Sequence, residues 1–264
     1  MMLHWKPSPV LKASAVLHLG AFAGFAVGLP LPWAAGSVVA NHVLLTAAGL
    51  WPRSTLLGSN MLRLSQAACE AKQIAITIDD GPNPNVTPAV LDILDATNAK
   101  VSFFCIGRLV AEHPNLAKEI IRRGHSIENH SYGHRHYFSM MGMKSLRQEI
   151  AKTQEIISQT TGHLPTYFRA PAGLRSPLLD PVLQSLDLKL VSWTRRGFDS
   201  VSHDPSKILF KLQNGLAAGD ILLLHDGNCA LTSNGKPVIL SVLPKLLENL
   251  KAIKLQAVPL NCAA

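Results

Sequence analysis

Between Ala13 and Trp51 the chain carries no Asp, Glu, Lys or Arg, and apolar residues fill most positions. The run is too long for one ordinary membrane span and is interrupted by Pro30, Pro32 and Trp33. Its pattern predicts two helices, 13–28 and 34–50, each near the lower limit of about 17 residues for crossing a bilayer. The Leu-Pro-Leu-Pro-Trp segment makes the connection, and Trp33 and Trp51 fall where aromatic side chains mark a membrane–water interface. His18, Asn41 and His42 lower the hydrophobicity of both helices. The expectation is a membrane hairpin over residues 1–52, touching lipid through 13–51. The alternatives are a signal peptide led by Lys6 and Lys12, a hairpin buried against the rest of the chain, and a monotopic anchor. A second apolar stretch directly behind the first argues against the signal peptide. Lys6 and Lys12 precede the hairpin, Arg53 and Arg63 follow it, and the turn is uncharged. The positive-inside rule then places the remainder on the cytoplasmic face of the inner membrane. A single span would place it in the periplasm.

Past a linker over 53–71 the pattern becomes one of short β-branched runs separated by helical ones, and 72–264 reads as one domain. Strands are expected at 73–79, 100–107, 125–130, 166–170, 188–193, 220–225 and 254–259. Apolar residues at helical spacing lie between them: Val90, Leu91 and Leu94; Leu116, Ile120 and Ile121; Leu146, Ile150, Ile156 and Ile157. Val182, Leu183 and Leu186, then Ile208, Leu209 and Leu212, then Leu243, Leu246, Leu247 and Leu250 continue the series. Gly124, after Arg122 and Arg123, is a helix stop. About seven βα units in succession predict an α/β fold, a parallel sheet curled into a closed or nearly closed (β/α) barrel, with an open doubly wound sheet as the alternative.

Composition sharpens this picture in three ways. With 47% hydrophobic residues and 16% charged, the chain is not a disordered protein. Its net charge of +8 favours an anionic partner: nucleic acid, anionic lipid or a phosphorylated substrate. The absence of a zinc finger, an RNP motif or a basic helix array speaks against nucleic acid. The cysteines, Cys69, Cys105, Cys229 and Cys262, are widely spaced and read as free thiols, which favours a reducing compartment.

Chemistry-bearing residues collect at one end of the expected strands. Asp79 and Asp80 end the first, His130 and His134 follow the third, Arg169 ends the fourth, Trp193 the fifth and His225 the sixth. That is the face on which α/β barrels assemble active sites. In Thr77-Ile-Asp-Asp-Gly-Pro-Asn83, alternation along a strand should point the two carboxylates different ways, suiting one to bind metal and the other to act as a base. His130 and His134, four apart, would share one face of a helical turn and reach one ion. Two His and one Asp with open positions make a hydrolytic metal site. His136 is spaced less favourably as a ligand.

These motifs, with Arg169-Ala-Pro-Ala-Gly173, Trp193 to Asp199 and Leu-Leu-Leu-His225-Asp in the same order, resemble those of the polysaccharide deacetylase family (NodB homology, carbohydrate esterase family 4) over about residues 73–260. The resemblance implies a distorted (β/α) barrel and metal-dependent removal of N-acyl groups, usually acetyl, from amino sugars. It implies Asp79 as general base held by Arg169, and Asp80, His130 and His134 as metal ligands. Ala172 would supply the oxyanion donor through its backbone N–H. His225, tuned by Asp199, would be the general acid, and Trp193 and Leu223 would wall the acyl pocket. Zn²⁺ is the expected ion, with Co²⁺, Ni²⁺ or Mn²⁺ compatible with the same donors. Such chemistry is what an amide needs: an activated nucleophile, a stabilised oxyanion and a proton for the departing nitrogen.

The chain departs from the family where an aromatic residue commonly replaces Ala172, and at Ser200, where Trp is common. Arg195 and Arg196 are candidate phosphate contacts, a planar cationic pair, or else residues of a solvated loop. The hairpin, the basic charge and the free thiols favour an amino sugar on a membrane or polyprenyl-phosphate carrier. Chitin-like glycan, peptidoglycan or exopolysaccharide is the alternative substrate, and a non-catalytic glycan-binding protein the alternative function.

Overall fold

A computed structural model describes residues 5–262; residues 1–4 and 263–264, the outer ends of the expected 1–52 and 72–264 regions, lie outside the described residues. The hairpin consists of α1 (Pro9–Ala26) and α2 (Leu31–Leu50). Ser8 caps α1 by accepting from Leu11 N–H, and Gly28, at φ +104°, turns the chain. Both helices start earlier than the apolar pattern indicates. Pro32 and Trp33 therefore sit in the first turn of α2, where a missing N–H costs nothing, and not in the connection. Inside the hairpin Asn41 Nδ2 donates to Ser14 Oγ (2.8 Å) and His18 Nδ1 to Ser14 O (2.7 Å). Only 6% and 28% of the two apolar windows are buried, so the hairpin is not a core element of the barrel.

Residues 53–71 are not a free linker. They include α3 (Gln66–Glu70) and bury Leu57, Leu64 and Ala68. Met61 N–H donates to Leu190 O and Leu64 N–H to Gly219 O, each at 2.9 Å, so the segment lies along the barrel seam. Its apolar positions are too few and too short in period to register as an element beforehand.

The domain then runs β1 (Gln73–Asp79), α4 (Thr87–Ala96), β2 (Ser102–Cys105), α5 (Gly107–Glu112), α6 (Pro114–Arg122), β3 (Ser126–Asn129), α7 (Met143–Thr161), β4 (Tyr167–Phe168), α8 (Leu179–Ser185), β5 (Lys189–Leu190), β6 (Arg195–Arg196), α9 (Pro205–Gln213), β7 (Ile221–His225), α10 (Ile239–Ala252) and β8 (Gln256–Ala257). Seven strands pair in the order β5-β4-β3-β2-β1-β7-β6, all parallel, and curl into a half-barrel; β8 pairs with the first residues of β1. No helix separates β5 from β6. The chain passes straight across the seam, where Thr194 N–H donates to Ile221 O (2.9 Å).

Alternation along β1 sorts the core. Ile74, Ile76 and Ile78 face the outer helices and pack with Val90, Leu94, Leu243 and Leu246. Ala75 turns the other way, into the barrel, with Phe104, Tyr167, Val191 and Ile221. Thr77 and Asp79 share that inward parity. The register pairs Asp79 with His225 and with Phe104, so the strand ends stand level at one rim.

Candidate active site

Five segments bring polar side chains to that rim. Asp79 is the last residue of β1, and Asp80 follows in the left-handed region at φ +74°. That reversal ends the strand alternation. Both carboxylates consequently line one cleft rather than diverging. The segment after β3 is likewise not a helical turn: Ser131 (φ +61°) and His134 (φ +46°) are left-handed, and the loop carries the two imidazoles. It is braced from within, Ser131 N–H donating to Asn129 Oδ1 (3.0 Å), His134 N–H to Ser131 Oγ (3.2 Å) and Gly133 N–H to Glu149 Oε2 (2.8 Å).

The result is a convergence of three donors. Asp80 Oδ1 lies 3.2 Å from His130 Nε2 and 3.2 Å from His134 Nε2. Two donors on one tetrahedral ion at 2.0–2.1 Å stand roughly 3.3 Å apart, so these separations fit a Zn²⁺-sized ion. His130 Nδ1 donates to Arg169 O (2.8 Å), which leaves its Nε2 lone pair free for a ligand. Asp80 Oδ1 is buried without a well-aligned hydrogen-bond donor, as a ligand oxygen would be. The donors present therefore fit a divalent cation. In the metal-free site burial opposes ionisation of Asp80, but a protonated His130, through its Nε2–H and its charge, with His225 and His134 nearby, holds the Asp80 carboxyl below the usual range. Burial, then the charge of His130, pushes His134 down to about 4, which keeps it a neutral ligand.

Beside this trio Arg169, itself buried, holds Asp79. Its Nη1 donates to Asp79 Oδ1 and to Thr77 Oγ1, both at 2.7 Å, while Nη2 reaches Ser192 O (3.0 Å) and Nε reaches Val191 O (3.3 Å). The guanidinium also stacks 4.1 Å above the Phe104 ring. Each of the three guanidinium nitrogens thus has an acceptor, and Asp79 is fixed with its other oxygen, Oδ2, 3.8 Å from His130 Nε2.

Across the cleft Asp199 Oδ1 meets His225 Nδ1 (2.9 Å), and Oδ2 accepts the His225 backbone N–H (2.7 Å). Burial alone would lower the imidazole; the Asp199 carboxylate, with Asp79 and Asp80, raises it to about 9. Ala172, left-handed at φ +54°, lines the same cleft with Trp193 and Leu223. The cleft measures about 180 Å³, room for the reacting end of a larger substrate. A groove of about 780 Å³ at the opposite end of the sheet, between α4 and α10, gathers none of these residues.

The two arginines separate. On β6 neighbouring side chains point opposite ways. Arg195 turns outward: Nε bonds Asp220 Oδ2 (2.6 Å) and both Nη atoms bond the carbonyls of Asn214 and Gly215. It is a structural residue, so the expected phosphate contact there is corrected. Arg196 lines the cleft, its guanidinium 5.5 Å from the Trp193 ring and 5.0 Å from Phe198.

Further residues, to which the sequence assigned no site role, complete the cleft. Ser200, Asn228 and His136 also line the cleft. Asp226 is buried beneath it, accepting from Thr87 Oγ1 (2.5 Å), and its carboxyl is raised to about 7, chiefly by burial. It packs so closely on Gly81 that a Cβ there would lie 2.5 Å from Asp226 Oδ1. The sequence shows Asp226 only as the last residue of the Leu-Leu-Leu-His225-Asp motif.

The sequence profile of the polysaccharide deacetylase family matches residues 67–191. A chitooligosaccharide deacetylase of Azorhizobium caulinodans is 34% identical over 155 residues, 58% of this chain and 73% of that protein. The chain belongs to the polysaccharide deacetylase family. Other members are similar as well. A peptidoglycan-N-acetylglucosamine deacetylase of Bacillus cereus is 32% identical over 182 residues, 68% of this chain and 82% of its own. PgdA of Listeria monocytogenes, a peptidoglycan-N-acetylglucosamine deacetylase, is 33% identical over 155 residues, 59% of this chain; the match spans only 32% of that protein's length. Among solved members, a family 4 carbohydrate esterase from Streptomyces lividans in complex with acetate superposes with a TM-score of 0.64 at 26% identity, covering 70% of this chain and 91% of that one. A CE4 family pseudoenzyme from Bacillus anthracis superposes at 0.69 with 22% identity over 78% of this chain and 68% of that one, a likeness of fold alone.

Proposed function

We propose that the chain is a metal-dependent amide hydrolase that removes an N-acetyl or other N-acyl group from an amino sugar carried on a membrane or polyprenyl-phosphate anchor. The observation that carries this reading is the placement of the Asp80, His130 and His134 donors between a buried Asp79–Arg169 pair and a buried His225–Asp199 pair, all on one cleft. Asp80, His130 and His134 would hold the divalent ion, Zn²⁺ best by donor type, with Co²⁺, Ni²⁺ or Mn²⁺ compatible. When bound, the ion acidifies water and polarises the amide carbonyl. Asp79, held by Arg169, accepts the proton of the attacking water. The Ala172 N–H stabilises the oxyanion as it forms. His225, charged through its bond to Asp199, gives its Nε2 proton to the departing amine. Trp193 and Leu223 enclose the acyl methyl, and Arg196, not Arg195, is positioned to meet an anionic group of the substrate.

The membrane half of this reading is supported by the hairpin. Its helices of 18 and 20 residues span roughly 27 and 30 Å, close to the hydrocarbon thickness. Leu19, Phe22, Val39 and Val43 are exposed along it, as side chains facing lipid would be. Lys6, Lys12 and Arg53 flank the hairpin, Arg63 follows in the chain, and no charge lies at the turn, which supports the cytoplasmic side of the inner membrane. The names of the relatives favour a polymeric substrate, peptidoglycan or chitooligosaccharide, as the second reading.

Mass spectrometry of membrane lipid extracts incubated with the zinc-loaded protein or with Asp79→Asn separates these. Loss of an acyl group from a polyprenyl-phosphate amino sugar, with wild type only, is expected. Acetate released only from chitin oligomers or peptidoglycan fragments would establish the polymer reading. No release from any of them by zinc-loaded protein would leave a binding protein.

A further inference from the structure

The base of the hairpin is locked to the wall of the cleft. Arg175 N–H donates to Gly49 O (3.1 Å) in the last turn of α2, and the buried Arg175 guanidinium bonds Ser54 O. No Cβ fits at Gly49, because it would run into Arg175 O. Pro52 O accepts from Ser192 Oγ (2.6 Å) and from Asn60 Nδ2 (3.0 Å). A Cβ on Gly173 would lie 2.6 Å from Pro52 Cβ on one side and 2.7 Å from the Trp193 ring on the other. Gly173 and Trp193 line the cleft. Pro52 is therefore one layer of atoms behind the cleft wall.

Pro52 is also two residues past the end of α2, at most about 7 Å along the chain. The polar headgroup layer on one side of a bilayer is roughly 5–8 Å deep. If α1 and α2 span the hydrocarbon, the cleft stands at the headgroup layer itself. Exposed Leu50 and Trp51 mark the apolar boundary there, and exposed Lys6, Lys12 and Arg53 stand at headgroup depth. Arg53 Nη1 reaches Thr194 O (3.4 Å), two residues before the cleft-lining Arg196.

We infer that the hairpin selects the substrate by position: the end of α2 holds the cleft at the membrane surface, so the chain acts on the phosphorylated amino-sugar headgroup of a lipid in the same leaflet in preference to a soluble glycan. This rests on the proposed deacetylase activity and adds the physical basis on which a lipid-carried substrate is chosen over a soluble one. The rigid contacts at Gly49, Arg175, Pro52 and Gly173 are what a flexible tether would lack. A tether would place the cleft anywhere within reach of its length.

The test uses full-length zinc-loaded protein in phosphatidylglycerol–phosphatidylethanolamine vesicles. Acetate release is measured from N-acetylglucosaminyl-phosphoryl-polyprenol in those vesicles and from soluble chitotetraose. Wild type is expected to favour the vesicle substrate by about tenfold or more in kcat/KM. Gly49→Val, which pries α2 from Arg175, is expected to lower vesicle turnover about tenfold while changing chitotetraose turnover less than about twofold. Equal preference, or equal loss on both substrates in a variant with wild-type melting and zinc content, overturns the inference and leaves the deacetylase standing. Release from neither substrate overturns both. A second readout needs no variant at position 49. Trp193 emission, with Trp5, Trp33 and Trp51 replaced by Phe, is expected to be quenched by headgroup-labelled lipid, and no quenching overturns the placement.

Discussion

Replacing Arg169 by methionine removes one buried cation and leaves its partner buried. Asp79 would lose its 2.7 Å hydrogen bond, and the carbonyls of Val191 and Ser192 and the hydroxyl of Thr77 would lose a donor at the same time. Arg169 and Asp79 are 1% and 3% exposed, so water cannot stand in for the guanidinium. Breaking a buried pair from one side costs about 3–5 kcal/mol, most of it the penalty on the charge left behind. Methionine keeps much of the side-chain volume, so the loss reads as electrostatic and not as a cavity. The double variant with Asp79→Asn removes that stranded charge. It should be about 2 kcal/mol more stable than the sum of the two single losses predicts. Chemical denaturation of the metal-free protein in non-ionic detergent, followed by circular dichroism, measures all four corners of the cycle. Both single variants should also lose turnover. Losses that add within about 0.5 kcal/mol would refute the claim that Arg169 exists chiefly to pair with Asp79 and hold it in place.

Three further outcomes follow from the same geometry. In metal-free protein His225 rises from 6.5 to about 9, so its bond to Asp199 contributes stability that is fully present below about pH 6.5 and lost as pH rises through about 9. Denaturation midpoints between pH 6 and 10 should fall by the equivalent of roughly 3 kcal/mol at most, and Asp199→Asn should flatten that slope. A strong chelator should abolish turnover and Zn²⁺ or Co²⁺ restore it, whereas His134→Ala should lower zinc affinity and retain the fold; unaltered zinc stoichiometry in that variant would count against the ligand set. Gly81→Ala forces a Cβ to within 2.5 Å of Asp226 and should destabilise the Asp80 loop by about 1–3 kcal/mol, read as a lower melting temperature and weaker metal binding.

What the sequence made legible was whatever had a period or a strand end. β1 alternates cleanly and its bounds match the pattern, because a central strand buried on both faces must carry apolar residues on one side and the site on the other. The rim residues could be listed because each closes or follows such a strand. What stayed hidden was set by dihedral angles and tertiary contact. Nothing in Asp79-Asp80 announces a left-handed second residue, yet φ +74° is what brings both carboxylates to one cleft. The His130–His134 spacing suits a helix, but its ring positions come from a braced loop. Arg195 and Arg196 looked alike until the two-residue strand β6 put them on opposite faces. The docking of 53–71 depended on partners more than a hundred residues away, Leu190 and Gly219, that no local pattern reveals.

The central claim is that Asp79 drives amide hydrolysis at a metal held by Asp80, His130 and His134. Acetate release from a lipid-carried N-acetylamino sugar, measured side by side with zinc content for wild type and Asp79→Asn, tests it most directly. The account predicts about one zinc per chain in both proteins and turnover in wild type alone. Equal turnover in the two, or zinc lost together with the Asp79 carboxylate, would contradict it.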